Sequence, residues 1–63
     1  KVNLITADRE ELMTLSGIGE TKADSILQYR EEHGPFQSIE EIQQVDGIKD
    51  GTYQKIKDQI TVK

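Results

Sequence analysis

The chain has 63 residues, a formal net charge of −4 and no cysteine, and hydrophobic residues make up 33% of it. That length allows one small domain, and the lack of thiols excludes a disulfide framework or a cysteine-ligated metal. Without such a staple, stability has to come from helix packing, and nothing in the sequence reads as a signal peptide or a membrane segment.

Residues 2–5 form an extended apolar lead-in. Asp8-Arg9-Glu10-Glu11 then has the pattern of a capping box, in which Asp8 accepts from the backbone three residues on and Glu11 reaches back. It predicts a short helix that turns Leu12 and Leu15 inward and stops at Ser16-Gly17. A second helix is expected from about residue 20 to 32, with Ala23, Ile26, Leu27 and Arg30 at i, i+3, i+4 and i+7 on its inner face. Gly34 suits a left-handed cap at its end, and Pro35 prevents any continuation.

Ser38-Ile39-Glu40-Glu41 reads as a second capping box, opening a short helix with Ile39, Ile42 and Val45 on one side. A final helix presents Tyr53, Ile56 and Ile60 at i, i+3 and i+7, and Thr61-Val62 is expected to return beside the lead-in. Phe36 is expected to fill the gap between the two helical pairs. No β-hairpin or βαβ pattern appears, so the fold class is all-α.

The same unit occurs twice, thirty residues apart. Leu15-Ser16-Gly17-Ile18-Gly19-Glu20-Thr21-Lys22 matches Val45-Asp46-Gly47-Ile48-Lys49-Asp50-Gly51-Thr52, and at the same offset Asp8 matches Ser38, Leu12 matches Ile42 and Ile26 matches Ile56. One such unit cannot bury its own apolar side, whereas two facing each other can. Gly17 and Gly19 are expected in the left-handed region, with Ile18 dropped between the helices as an anchor. The amides of the turn then face outward at the positive end of a helix, an arrangement suited to a phosphate. Thr21 adds a hydroxyl and Lys22 a charge. In the second turn Lys49 replaces a glycine, which adds charge but tightens the backbone's demands. Nucleotide-binding loops do not fit, because no strand precedes the glycines and the required spacings are missing.

Charge is polarised: residues 1–48 sum to −6 and residues 49–63 to +2. An acidic chain is not the usual composition for a nucleic-acid binder. Glu20, Asp46 and Asp50 stand close to the turns, where they compensate helix dipoles. Arg30, Lys55 and Lys57 are flanking candidates for phosphate contact. His33, the single histidine, falls in the last turn of the long helix and has no partners at catalytic or ligand spacing. The pairs Glu10-Glu11, Glu31-Glu32 and Glu40-Glu41 lack such partners too. No catalytic residue, metal site or cofactor site is expected, and an enzyme is not.

Leu15-Ser16-Gly17-Ile18-Gly19, Tyr29-Arg30-Glu31-Glu32-His33-Gly34-Pro35-Phe36 and Lys55-Ile56-Lys57-Asp58-Gln59-Ile60-Thr61-Val62 resemble the tandem helix-hairpin-helix domain of the ComEA family, over essentially the whole chain. The resemblance implies a single SAM-like domain over residues 1–63, with motifs at about 8–32 and 38–60 sharing one core. It implies sequence-independent binding of double-stranded DNA through its phosphate backbone, as in the DNA receptors of bacterial natural transformation. A parent anchored by an N-terminal membrane helix would work at the outer face of the cell membrane or in the periplasm. DNA-uptake proteins and further copies on DNA are the implied partners. The family's binding positions fall on Gly17, Ile18, Gly19, Thr21, Lys22, Gly47, Ile48, Lys49 and Thr52. Where members usually have proline the chain has Ser16 and Glu20, where they have a second glycine it has Lys49, and where they have asparagine it has Ile5. The other reading of the residues is a protein-interaction or self-association module, in which surplus acid meets a basic protein surface.

Overall fold

A computed structural model describes residues 1–63. In order they form strand β1 (Val2–Asn3), helix α1 (Arg9–Met13), helix α2 (Glu20–His33), a 3-10 helix (Ile39–Gln44), helix α3 (Asp50–Ile56) and strand β2 (Ile60–Thr61). The molecule is all-α apart from one short parallel pairing.

The first capping box forms as its sequence requires. Asp8 Oδ1 accepts from the Glu11 N–H at 2.8 Å, and Glu11 Oε1 accepts from the Asp8 N–H at 3.2 Å. At five residues α1 is too short to persist alone, so it depends on the burial of Leu12. α2 runs one residue beyond expectation and ends where Gly34, at φ +83°, donates its N–H to Arg30 O.

The second capping box does not form. Ser38 makes no side-chain cap, and the Glu41 carboxylate is engaged elsewhere, accepting from the Gln37 N–H at 2.8 Å and the Tyr29 hydroxyl at 2.9 Å. The segment that follows winds as a 3-10 helix, and still buries Ile42. α3 is likewise shorter than its apolar spacing suggests. It stops at Ile56, and the chain turns through a Gln59 N–H to Ile56 O bond of 2.7 Å. Ile60 therefore reaches the core from β2 rather than from another helical turn.

The return beside the lead-in is real, one residue earlier than expected: Val2 pairs with Ile60 and Asn3 with Thr61. Flanking bonds from Val2 N–H to Gln59 O (2.8 Å) and Leu4 N–H to Thr61 O (2.9 Å) close the two ends of the chain together.

The two repeats build one core in matched pairs: Leu12 with Ile42, Leu15 with Val45, Ile18 with Ile48, Ala23 with Tyr53 and Ile26 with Ile56 are all buried. Leu4, Ala7, Phe36 and Ile60 complete it, and no charged side chain is buried. Each large aliphatic residue of this set contributes about 1.5–3 kcal/mol by leaving water. Phe36 stacks on Tyr29 at 5.3 Å, and Tyr29 stacks on His33 at 4.3 Å. His33 is thus held by an aromatic neighbour as well as by its place at the helix end. Arg30, expected at the flank of a phosphate site, is used inside the fold: its Nη1 donates to Leu4 O at 3.1 Å and to Ala7 O at 2.8 Å, fixing the lead-in on α2.

Candidate functional site

The two turns between helices have the same internal geometry. Ile18 N–H donates to Leu15 O and Ile48 N–H to Val45 O, both at 3.1 Å. Gly17 at φ +78° and Gly47 at φ +88° sit in the left-handed region, where a side chain costs roughly 1–2 kcal/mol. Ile18 and Ile48 are buried, and their amides are spent within the turn. These two residues anchor the hairpins and offer neither side chain nor N–H to a ligand.

Gly19 differs from expectation. It is the N-cap of α2 at φ −95°, ψ −165°, an extended conformation open to any residue. Lys49 holds the same place before α3 at φ −109°, ψ −176°, so its side chain adds no backbone strain. Neither cap residue satisfies the helix with its side chain. The first bonds of the two helices are Ala23 N–H to Gly19 O and Tyr53 N–H to Lys49 O, each 2.9 Å. The amides of Glu20, Thr21 and Lys22, and of Asp50, Gly51 and Thr52, therefore lack partners within their helices. The amides of Gly17, Gly19, Gly47 and Lys49 donate to no other group of the chain either.

The two hairpins lie side by side. A Cβ placed on Gly47 would sit 3.7 Å from Lys22 Cγ and 3.8 Å from Lys22 Cε, so the lysine stem of the first motif runs along the turn of the second. Gly17, Gly19, Thr21 and Lys49 are exposed, and Lys22 and Thr52 are half-buried. A Cβ on Gly17, Gly19 or Gly51 would meet nothing within 4 Å, so the backbone there is open to close approach. What the two adjacent turns bring together is two sets of N–H groups with no partner in the chain, with Lys22 and Lys49 beside them, the kind of groups that can hold an anion.

Carboxylates temper it. Glu20 is paired with Arg9, Nη2 to Oε2 at 3.2 Å, and the same guanidinium meets Asp24 Oδ1 through Nε at 3.0 Å. Asp50 Oδ1 accepts from Gln54 Nε2 at 3.3 Å, and Asp46 has no side-chain partner. Arg9 was not singled out by sequence, since its partners Glu20 and Asp24 lie on the next helix. Gln59 was missed as well. Its Oε1 accepts from the Ser16 N–H at 3.2 Å and its Nε2 donates to Ser16 Oγ at 3.0 Å, a contact across 43 residues that no local pattern signals.

Burial raises the Tyr29 hydroxyl above its ordinary pKa of 10.0, helped by its hydrogen bond to Glu41 and that carboxylate's charge. Tyr53 is raised in the same direction, first by burial and then by the carboxylates of Glu40, Asp50 and Asp58. No three His, Asp or Glu side chains converge as metal ligands, and no helix is long and apolar enough to cross a membrane.

The helix-hairpin-helix motif family matches residues 1–61. ComE operon protein 1 of Bacillus subtilis (strain 168) is 53% identical over 62 residues, covering 98% of this chain and 30% of that protein. An uncharacterized protein of Haemophilus influenzae is 44% identical over 61 residues, 95% of this chain and 54% of its own length. In Rattus norvegicus, endonuclease/exonuclease/phosphatase family domain-containing protein 1 is 42% identical over 60 residues, 95% of this chain but 10% of that protein. The chain thus spans between a tenth and about half of these relatives. With two matched hairpins in the structure and a family match from residue 1 to 61, the chain belongs to the helix-hairpin-helix family.

Proposed function

We propose that this chain binds double-stranded DNA without reading its sequence, and without catalysis. The amides of Gly17, Gly19, Thr21 and Lys22 would hold a phosphate of one strand, and those of Gly47, Lys49 and Thr52 a phosphate of the other, across a minor groove. Ile18 and Ile48 anchor the two turns. The observation that supports this reading most is the duplication of partnerless amides on adjacent, internally identical turns. Phosphate contacts fix position but carry no base information, so affinity is expected to be indifferent to sequence.

The strong likeness to ComE operon protein 1, together with the family resemblance, supports a role in DNA uptake during natural transformation. The parent would then be membrane-anchored, with this domain at the outer face of the membrane or in the periplasm. Proteins of the uptake machinery, and further copies of the domain on DNA, are its proposed partners.

Fluorescence anisotropy on two unrelated labelled duplexes tests the function. Equal binding to both is expected, with a shallow salt slope corresponding to about 2–4 phosphates. Gly17→Val combined with Gly47→Val, measured under conditions in which circular dichroism still shows the native helix content, should abolish binding. A preference for one duplex, or a slope near 8, contradicts the geometry. Concentration-dependent sedimentation without DNA, with no binding to either duplex, would favour a self-association module instead.

A further inference from the structure

We propose that Gln59, seconded by Arg9, is a positioning residue that pre-forms the first hairpin and makes it the stronger of the two phosphate grips; this rests on the DNA reading above. Gln59 lies between α3 and β2, and its own backbone is fixed on both sides. Its N–H donates to Ile56 O at 2.7 Å, and its carbonyl accepts from the Val2 N–H at 2.8 Å. From that fixed point its side chain engages Ser16 twice, at N–H and at Oγ, and also donates to Lys55 O at 3.3 Å. The residue directly before Gly17 is thereby tied to the seam where the chain ends meet.

At the other end of the same hairpin, Arg9 reaches from α1 to Glu20 and Asp24 in the first two turns of α2. These ion pairs are exposed and add little to stability. Their consequence is electrostatic, because a guanidinium offsets part of the charge of two carboxylates that would otherwise oppose a phosphate at the adjoining amides.

The second hairpin has neither support. Asp46 occupies the place of Ser16, and neither its side chain nor its N–H has a partner. Asp50 occupies the place of Glu20 and meets only Gln54 of its own helix. The turn bonds of the two hairpins are equal in length, and the Lys22 stem lies along the second turn without hydrogen-bonding it, so the difference lies in the hydrogen bonds that hold the first turn from outside. A turn already fixed in its binding geometry loses less freedom on gripping a ligand.

Two measurements decide it. In amide hydrogen exchange on the free protein, Ile18 should exchange more slowly than Ile48, although their hydrogen bonds match. Gln59→Ala should bring Ile18 to the rate of Ile48 while leaving Ile26 and Ile56 unchanged. Gln59→Glu, which keeps an acceptor for the Ser16 N–H and can take the Ser16 hydroxyl as donor, should keep Ile18 slow. Equal exchange of Ile18 and Ile48 in the unmodified chain, or no response to Gln59→Ala, overturns the proposal.

In duplex titrations, Gln59→Ala should weaken binding by about threefold to tenfold in a Gly47→Val background, the worth of about one hydrogen bond. In a Gly17→Val background it should change nothing, whereas a general loss of stability would weaken both. An unmodified chain that binds no duplex while Ile18 remains the slower amide refutes the DNA reading, and with it the ranking of the grips, but leaves the positioning role standing.

Discussion

At the scale of single residues, the glycines of the hairpins do two different jobs. Gly17 and Gly47 are required by positive φ, whereas Gly19 sits in extended backbone with open space where a Cβ would point. Gly17→Ala should therefore destabilise by about 1–2 kcal/mol in urea titration, and Gly19→Ala by about 0.5 kcal/mol or less, since surface changes away from special features cost little. In the proposed grip DNA affinity should fall in both, because a methyl group at Gly19 would stand in the open space through which the phosphate is proposed to approach. The spacing Gly-Ile-Gly made the turn legible but not this division of labour. Lys49, at the same dihedrals as Gly19, shows that the second glycine is not a backbone necessity.

Arg30 is the other lesson at this scale. Its position in the apolar stripe of α2 indicated that it faces inward, and its charge drew it into the candidate phosphate contacts. The backbone carbonyls of Leu4 and Ala7, which receive its guanidinium, are set by the path of the lead-in and leave no trace in local sequence. Arg30→Met should keep the stem's packing and lose these charge-assisted bonds, costing about 1.5–3 kcal/mol for each one left without a replacement. The loss should appear as faster exchange of the Val2 and Leu4 amides before any change in α2.

At the scale of elements, α1, α2 and both hairpins could be read from caps, apolar spacing and glycine placement. The second half is less legible. Ser38 and Glu41 have the right types at the right spacing for a capping box, but Glu41 is captured by Gln37 and by Tyr29, which belongs to a different helix. A tertiary partner outcompeted the local one. The early end of α3 has a similar origin, since Ile60 serves the core equally well from a strand that pairs with Val2.

The Tyr29–Glu41 bond joins the two motifs and predicts a pH response. The folded state raises the pKa values of Tyr29 and Tyr53 above that of the free phenol. Such groups contribute their full stability below the unfolded value near 10, and lose it as pH rises through the higher folded value. Thermal unfolding should thus show stability falling on the alkaline side of pH 10. Tyr29→Phe should make that fall shallower, while the ring stacking on Phe36 and His33 is kept. A fall of unchanged steepness in Tyr29→Phe would mean that Tyr29 has no part in it.

At the scale of the whole molecule, a chain of this size has a stability of only about 3–9 kcal/mol. Its core is a single set of paired apolar residues shared by the two repeats. Removing one of a pair, as in Ile56→Ala, costs about 2–5 kcal/mol and should unfold much of the population at 37 °C. Both hairpins should then fail together, since neither repeat has a core of its own. The pairing of the repeats was legible at their thirty-residue offset because the apolar pattern repeats with the glycines. The tie from Gln59 to Ser16 was not, because it joins residues 43 apart through side chains of ordinary type.

The net charge of −4 opposes DNA in bulk, and the proposed grip overcomes it locally, through amides whose partial charges do not register in a composition. Mapping amide chemical shifts as a short DNA duplex is added tests this most directly. The signals of Gly17, Gly19, Thr21, Lys22, Gly47, Lys49 and Thr52 should move together and saturate at one concentration. Shifts confined to the hollow lined by Ile5, Leu27 and Pro35, with the hairpin amides unmoved, would contradict the proposed grip.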